Sequence, residues 1–154
     1  MKSNLLSILA VLALGLTSSF GHQGVELGPN GGRILEFSKD ETMHGEVTAK
    51  DGKFHIALLD KAMKPVALDT QVLTATSGDR DKPEKLTVEK AGGHFVVPML
   101  KGDEFWIIFQ FKPTPTAKAV TARLHYDAAI CEKCKKVEWL CACAKKDAKD
   151  EKKK

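Results

Sequence analysis

Short runs in which apolar and polar residues alternate, separated by turn formers, fill the chain from residue 33 to residue 126. Arg33 to Phe37 is the first such run, and Met43 to Lys50 and Lys53 to Leu59 flank Asp51-Gly52. An Asp-Gly pair between alternating runs predicts a two-residue hairpin turn, because both central residues must take positive φ. Alternation places Met43, Val47 and Ala49 with Phe54, Ile56 and Leu58 toward a core, and His44, Glu46, His55 and Ala57 on the opposite, polar face. The two-residue turn sets Thr48 across from His55 and His44 across from Leu59. His44 and His55 then lie about 13 Å apart along the ladder and cannot share an ion.

Further strands are predicted over Gln71 to Thr76, Lys85 to Lys90 and His94 to Met99, the last two joined at Gly92-Gly93. Phe105 to Phe111 is apolar on both faces except at Gln110, which predicts a central strand. Pro113-Thr114-Pro115 ends that run, and Ala119 to Tyr126 is the last strand, with Val120, Ala122, Leu124 and Tyr126 inward. Seven or eight short strands with no helix before Asp127 predict an all-β fold, an immunoglobulin-like antiparallel β-sandwich. No cysteine falls within a strand, so Phe54, Phe95, Phe105, Phe109 and Phe111 are expected to fill the space that an inter-sheet disulfide occupies in antibody domains.

All four cysteines lie beyond the last strand, as Cys131-x2-Cys134-x6-Cys141-x-Cys143. Thiols this close in sequence converge with little loop entropy to lose, and four of them suit a tetrahedral thiolate site. Paired C-x2-C arms are the usual zinc pattern, while a C-x-C arm suits a softer ion such as Cu(I). The cofactor expectation is therefore Zn2+ first and Cu+ second. Two other readings compete. Cys131 and Cys134 could pair with Cys143 and Cys141, in either crossing, as disulfides, although such short loops constrain little unfolded chain. A redox-active C-x2-C pair with Cys131 as the attacking thiol is the other. Trp139 and Leu140, between the arms, are candidates either to cap the site or to dock the segment on the sandwich. Lys133, Lys135, Lys136, Lys145 and Lys146 are candidates to offset thiolate charge.

The amino-terminal residues bear on redox compartment. Lys2 precedes the twelve-residue run Leu5 to Leu16, interrupted only by Ser7 and Gly15, and small residues follow to Gly21. This is the pattern of a secretory signal, too short to span a bilayer, with cleavage expected after Gly21. The expected organisation is a signal peptide over 1–21, a β-sandwich over 22–127, a cysteine-rich metal-binding segment over 128–144 and a disordered lysine-rich tail over 145–154. The location expected is periplasmic or secreted, with membrane attachment only through an uncleaved signal anchor. Cleavage would make His22 the mature amino terminus, where its amine and imidazole form a possible secondary metal site if a second histidine, His94 or His125, joins them. His44, His55 and His125 otherwise read as exposed strand residues. Met43, in a core register, reads as packing and not as a thioether ligand.

Composition narrows the function classes. The chain has 154 residues, 43% hydrophobic and 29% charged, with 24 Lys and Arg against 20 Asp and Glu. No basic face interleaved with aromatics marks a nucleic-acid binder. No nucleophile elbow, H-E-x-x-H or phosphate loop is present, so the expectation is a binding protein and not an enzyme.

Gly28-Pro29-Asn30-Gly31-Gly32-Arg33-Ile34-Leu35 resembles the P-x-G-G-R-hydrophobic opening of a small β-domain in periplasmic adaptor proteins of heavy-metal efflux pumps. With Asp60-x3-Lys64-Pro65-Val66 and the terminal cysteine pattern, residues 28 to 143 are similar to small exported bacterial proteins of unassigned function. The resemblance implies periplasmic residence, a link to metal handling and an efflux or envelope protein as partner. Many adaptors carry histidine in the opening motif; Asn30 stands here instead, so the likeness supplies no metal ligand at that end.

Overall fold

The computed structural model describes residues 25–78 and 82–143. The segment expected to be a signal peptide, His22, Lys145, Lys146 and the rest of the tail expected to be disordered lie outside the described residues. Among the described residues, ten strands form two antiparallel sheets. They are β1 (Arg33–Glu36), β2 (Met43–Lys50), β3 (Lys53–Asp60), β4 (Pro65–Val66), β5 (Val72–Ser77), β6 (Glu84–Leu86), β7 (Glu89–Ala91), β8 (His94–Pro98), β9 (Glu104–Lys112) and β10 (Val120–Asp127). One sheet runs β1-β2-β3-β8-β7 with β4 added beside β3; the other runs β10-β9-β5-β6. Without β1 and β4, the orders β2-β3-β8-β7 and β10-β9-β5-β6 match strands A-B-E-D facing G-F-C with one added C′ strand. The fold is an immunoglobulin-like sandwich.

Asp51 and Gly52 both take positive φ, 51° and 71°, as a type I′ turn requires. The register that follows pairs Thr48 with His55 and His44 with Leu59. Gly92 and Gly93 repeat the device at φ 58° and 79°, pairing Ala91 with His94.

The core lies between the sheets. Phe54, Ile56, Leu58, Phe95 and Val97 from one sheet meet Leu73, Ala75, Ile107, Phe109, Phe111 and Leu124 from the other. Phe37, just past β1, stacks on Phe111 across the gap at 4.8 Å. Phe105 is only half-buried and stacks on Tyr126 at 4.7 Å.

Three local expectations are corrected. The run Lys85 to Lys90 is two strands: β6 pairs with β5 in one sheet, β7 with β8 in the other, and the chain crosses between them at Thr87-Val88. The strand Phe105 to Phe111 is internal to its sheet, but Trp106 and Ile108 are exposed because nothing among the described residues covers that outer face. His44 and Glu46, expected on a polar face, are buried, and Ala49 is exposed. At Glu46 the cause is the opening segment, which folds over the outer face of β2. Oε1 of Glu46 accepts from the Asn30 and Gly32 amides at 2.7 and 3.0 Å, and Oε2 accepts from Asn30 Nδ2 at 2.7 Å. A Cβ on Gly32 would stand 2.5 Å from the Val47 carbonyl, so only glycine lets the backbone come this close. His44 is partnered by Glu36, Nδ1 to Oε1 at 3.0 Å.

Candidate metal centre

The last strand leads directly into the cysteine segment. After Asp127 the Ala128 amide donates to the Asp103 carbonyl at 2.8 Å, and the Ala129 amide to Asp127 Oδ1 at 2.9 Å. Ile130 and Val137 then form an antiparallel bridge, with the C-x2-C arm as the loop between them. Within that loop the Cys131 amide donates to the Lys136 carbonyl and the Lys135 amide to the Cys131 carbonyl, both at 2.8 Å. Closing so tight a turn puts Lys135 in the left-handed region at φ 60°, a strained conformation for a residue with a Cβ.

Between the arms, Glu138–Leu140 is a single 3-10 turn that points Trp139 inward. The indole is 4% exposed and packs against Phe54 and Tyr126, with ring centroids 5.9 and 5.6 Å away. The second arm leaves the turn extended: Cys141 sits at φ −77°, ψ 111°, its amide donates to the Glu138 carbonyl at 3.0 Å, and its carbonyl accepts from Val25 at 3.3 Å. Arg33 of the opening motif ties the segment down, with Nη1 reaching the His125 carbonyl at 3.1 Å and the Trp139 carbonyl at 3.5 Å. Of the two roles considered for Trp139, the structure shows the docking one: the indole belongs to the core of the sandwich.

The sulfur atoms of Cys131, Cys134, Cys141 and Cys143 all lie within 4.8 Å of one another, and Cys134 Sγ is 3.6 Å from Cys141 Sγ. A tetrahedron with Zn–S bonds of about 2.3 Å has S···S edges of about 3.8 Å, so the four donors match the span such an ion needs. Four soft sulfur ligands with no oxygen among them suit Zn(II) or Cu(I) far better than Mg(II) or Ca(II). Cys131 and Cys141 are buried, and Cys134 and Cys143 are half-buried.

Electrostatics within the cluster is uneven. The Lys136 backbone amide, helped by hydrogen bonds from the other thiols, draws the Cys134 pKa down to about 7. At Cys141 the Cys143 amide acts to lower the pKa, but Cys131, burial and the remaining thiols outweigh it and push the value up to about 12. Cys143 is also raised: the Cys141 thiol favours its anion, and the neighbouring Cys134 sulfur and desolvation oppose it more strongly. One thiolate thus forms readily and disfavours the next, since like charges crowd a small volume. A cation at the centre would remove that conflict and release the protons. The thiol placed for attack on an outside partner is Cys134; Cys131, expected in that role, is buried.

The described histidines are not part of this group. His94 Nδ1 bonds the Gly92 carbonyl at 2.9 Å, and its ring meets that of His55 at 6.2 Å. His125 stacks on Trp106 at 4.3 Å and bonds Glu104 through Nε2 at 2.8 Å. Met43 and Met99 pack against the core. Among the described residues, the four cysteines are the group that could hold an ion. Sequence reading missed the parts played by Asn30, Arg33 and Glu46; an acidic residue in mid-strand alongside a Pro-Asn-Gly-Gly turn was the available signal.

Compared with protein-family models, curated proteins and solved structures, the chain finds no match in any of the three. The likeness to efflux adaptors therefore stands on the short motifs alone, and in this structure those motifs have folding roles.

Proposed function

We propose that this chain is an exported, periplasmic metal-binding protein without catalytic activity, holding Zn(II), or alternatively Cu(I), through Cys131, Cys134, Cys141 and Cys143. One observation carries the reading: four sulfur atoms from two separate arms gather within 4.8 Å of one another at the surface of a packed sandwich. Two arms meeting by chance would not all aim their sulfurs at one point. Export is supported by the charged residue, apolar run and small residues at the amino terminus. Contact with a periplasmic efflux or envelope protein is what the opening motif suggests. The test is elemental analysis and thiol titration of protein isolated from the cell envelope. One ion per chain with four titratable thiols after its removal is the expected result; two disulfides and no metal would end the reading.

The 3.6 Å approach of Cys134 to Cys141 favours a second reading, since sulfurs this near need little movement to reach a bond of about 2.0 Å. The chain would then be an interaction module with a disulfide-locked segment. The intact mass of the isolated protein separates the two, by a loss of four hydrogens in place of an added ion.

A further inference from the structure

Building on the metal-binding reading, we propose that the ion is exchangeable cargo, not a structural staple, and that it enters and leaves past Cys134 and Cys143. In small domains organised by their ion alone, the ligands scatter when it is removed. Here both arms are fastened by contacts that do not pass through sulfur. The first arm is closed by the Ile130–Val137 bridge and by the reciprocal bonds of Cys131 with Lys135 and Lys136. The second is held at Cys141 by Glu138 on one side and Val25 on the other. Trp139, buried between the arms, fixes both to the sandwich core, and Arg33 bonds the carbonyl of the same residue. A site assembled by its own protein contacts can lose its ion and stay in shape.

Access supports the same conclusion. Cys131 and Cys141 form a buried floor, and Cys134 and Cys143 a half-exposed rim. Lys133, Lys135 and Lys136 stand exposed beside that rim, a local positive charge that attracts an anionic donor. The acceptor implied is a protein or small molecule presenting thiolate sulfur. In the exchange step an incoming thiolate bonds the ion as the bond to Cys134 or Cys143 breaks. The displaced sulfur leaves as a thiolate, so charge and atoms balance one for one, and no electron changes hands.

The test uses the full chain with Trp106→Phe, leaving Trp139 as the reporter, loaded with one equivalent of zinc under reducing conditions. Release is then followed with a chromogenic pyridylazo chelator. Doubling the chelator should double the release rate, and the metal-free protein should keep the near-ultraviolet circular dichroism and blue-shifted emission of a buried indole. A release rate independent of chelator concentration, or loss of the Trp139 signals with the ion, would make the metal a staple and overturn the proposal. Those results leave metal binding intact. Failure of the reduced protein to take up zinc at all would remove both readings together.

Discussion

Replacing Trp139 with alanine tests the structural link on which the site depends. The side chain is 4% exposed and lies between the rings of Phe54 and Tyr126. A tryptophan removes about 150–250 Å² from water, which at about 25 cal/mol per Å² sets an upper bound of about 4–6 kcal/mol. Large-to-small changes in packed cores cost about 3–5 kcal/mol, because the surroundings relax only partly. With an m-value near 2 kcal/mol/M, the urea midpoint should fall by about 2 M. Far-ultraviolet circular dichroism is the suitable probe, since it follows the strands and not the missing indole. Trp139→Phe should recover roughly half of the loss, as a smaller ring still reaches Phe54. The alanine variant should also bind zinc more weakly with all four thiols present, because the arms must now be ordered by the ion itself. A loss below about 1 kcal/mol with unchanged zinc affinity would refute the reasoning, showing that the cysteine segment is not fastened through the core.

Glu46→Ala strands the Asn30 and Gly32 donors and should destabilise the sandwich by about 3 kcal/mol in urea unfolding, whereas Glu46→Gln keeps an acceptor for both backbone amides and should cost about half as much. In the metal-free protein, iodoacetamide should modify Cys134 first; with its pKa at about 7 the rate rises with pH through neutrality as the thiolate forms, and peptide mapping should show Cys141, at about 12, still protected. Bound zinc should suppress both reactions. Trp106→Ser, on the outer face of β9, should cost about 1–2 kcal/mol, less than half of the Trp139→Ala loss, because the side chain is already 53% exposed and what it gives up is chiefly its stack on His125.

The sandwich was readable wherever a local rule sets geometry. Asp51-Gly52 dictates the turn, the turn dictates the register, and the Thr48–His55 pairing follows with no tertiary information. Alternation likewise identified the inward residues of β3 and β10, because successive side chains point to opposite faces. It failed at β2, where the outer face is covered by a segment that carries little hydrophobic signal of its own. It failed again at Lys85 to Lys90, since polar and apolar residues alternate in the same way whether a strand stays in one sheet or crosses to the other. The cysteines were legible as a set but not as a site. Their spacing permits convergence, yet it does not say whether the arms fold toward each other.

The chain alone determined most of the strands, the tight turns and the presence of four soft donors in thirteen residues, because each depends on neighbours in sequence. Tertiary structure decided which polar residues are buried, which face of the second sheet the described residues leave open and where the sulfurs meet. Those outcomes depend on contacts between residues far apart in the chain, such as Arg33 with Trp139 and Asn30 with Glu46. No local pattern encodes such contacts, because the partner that buries a side chain is chosen only when the layers close on one another.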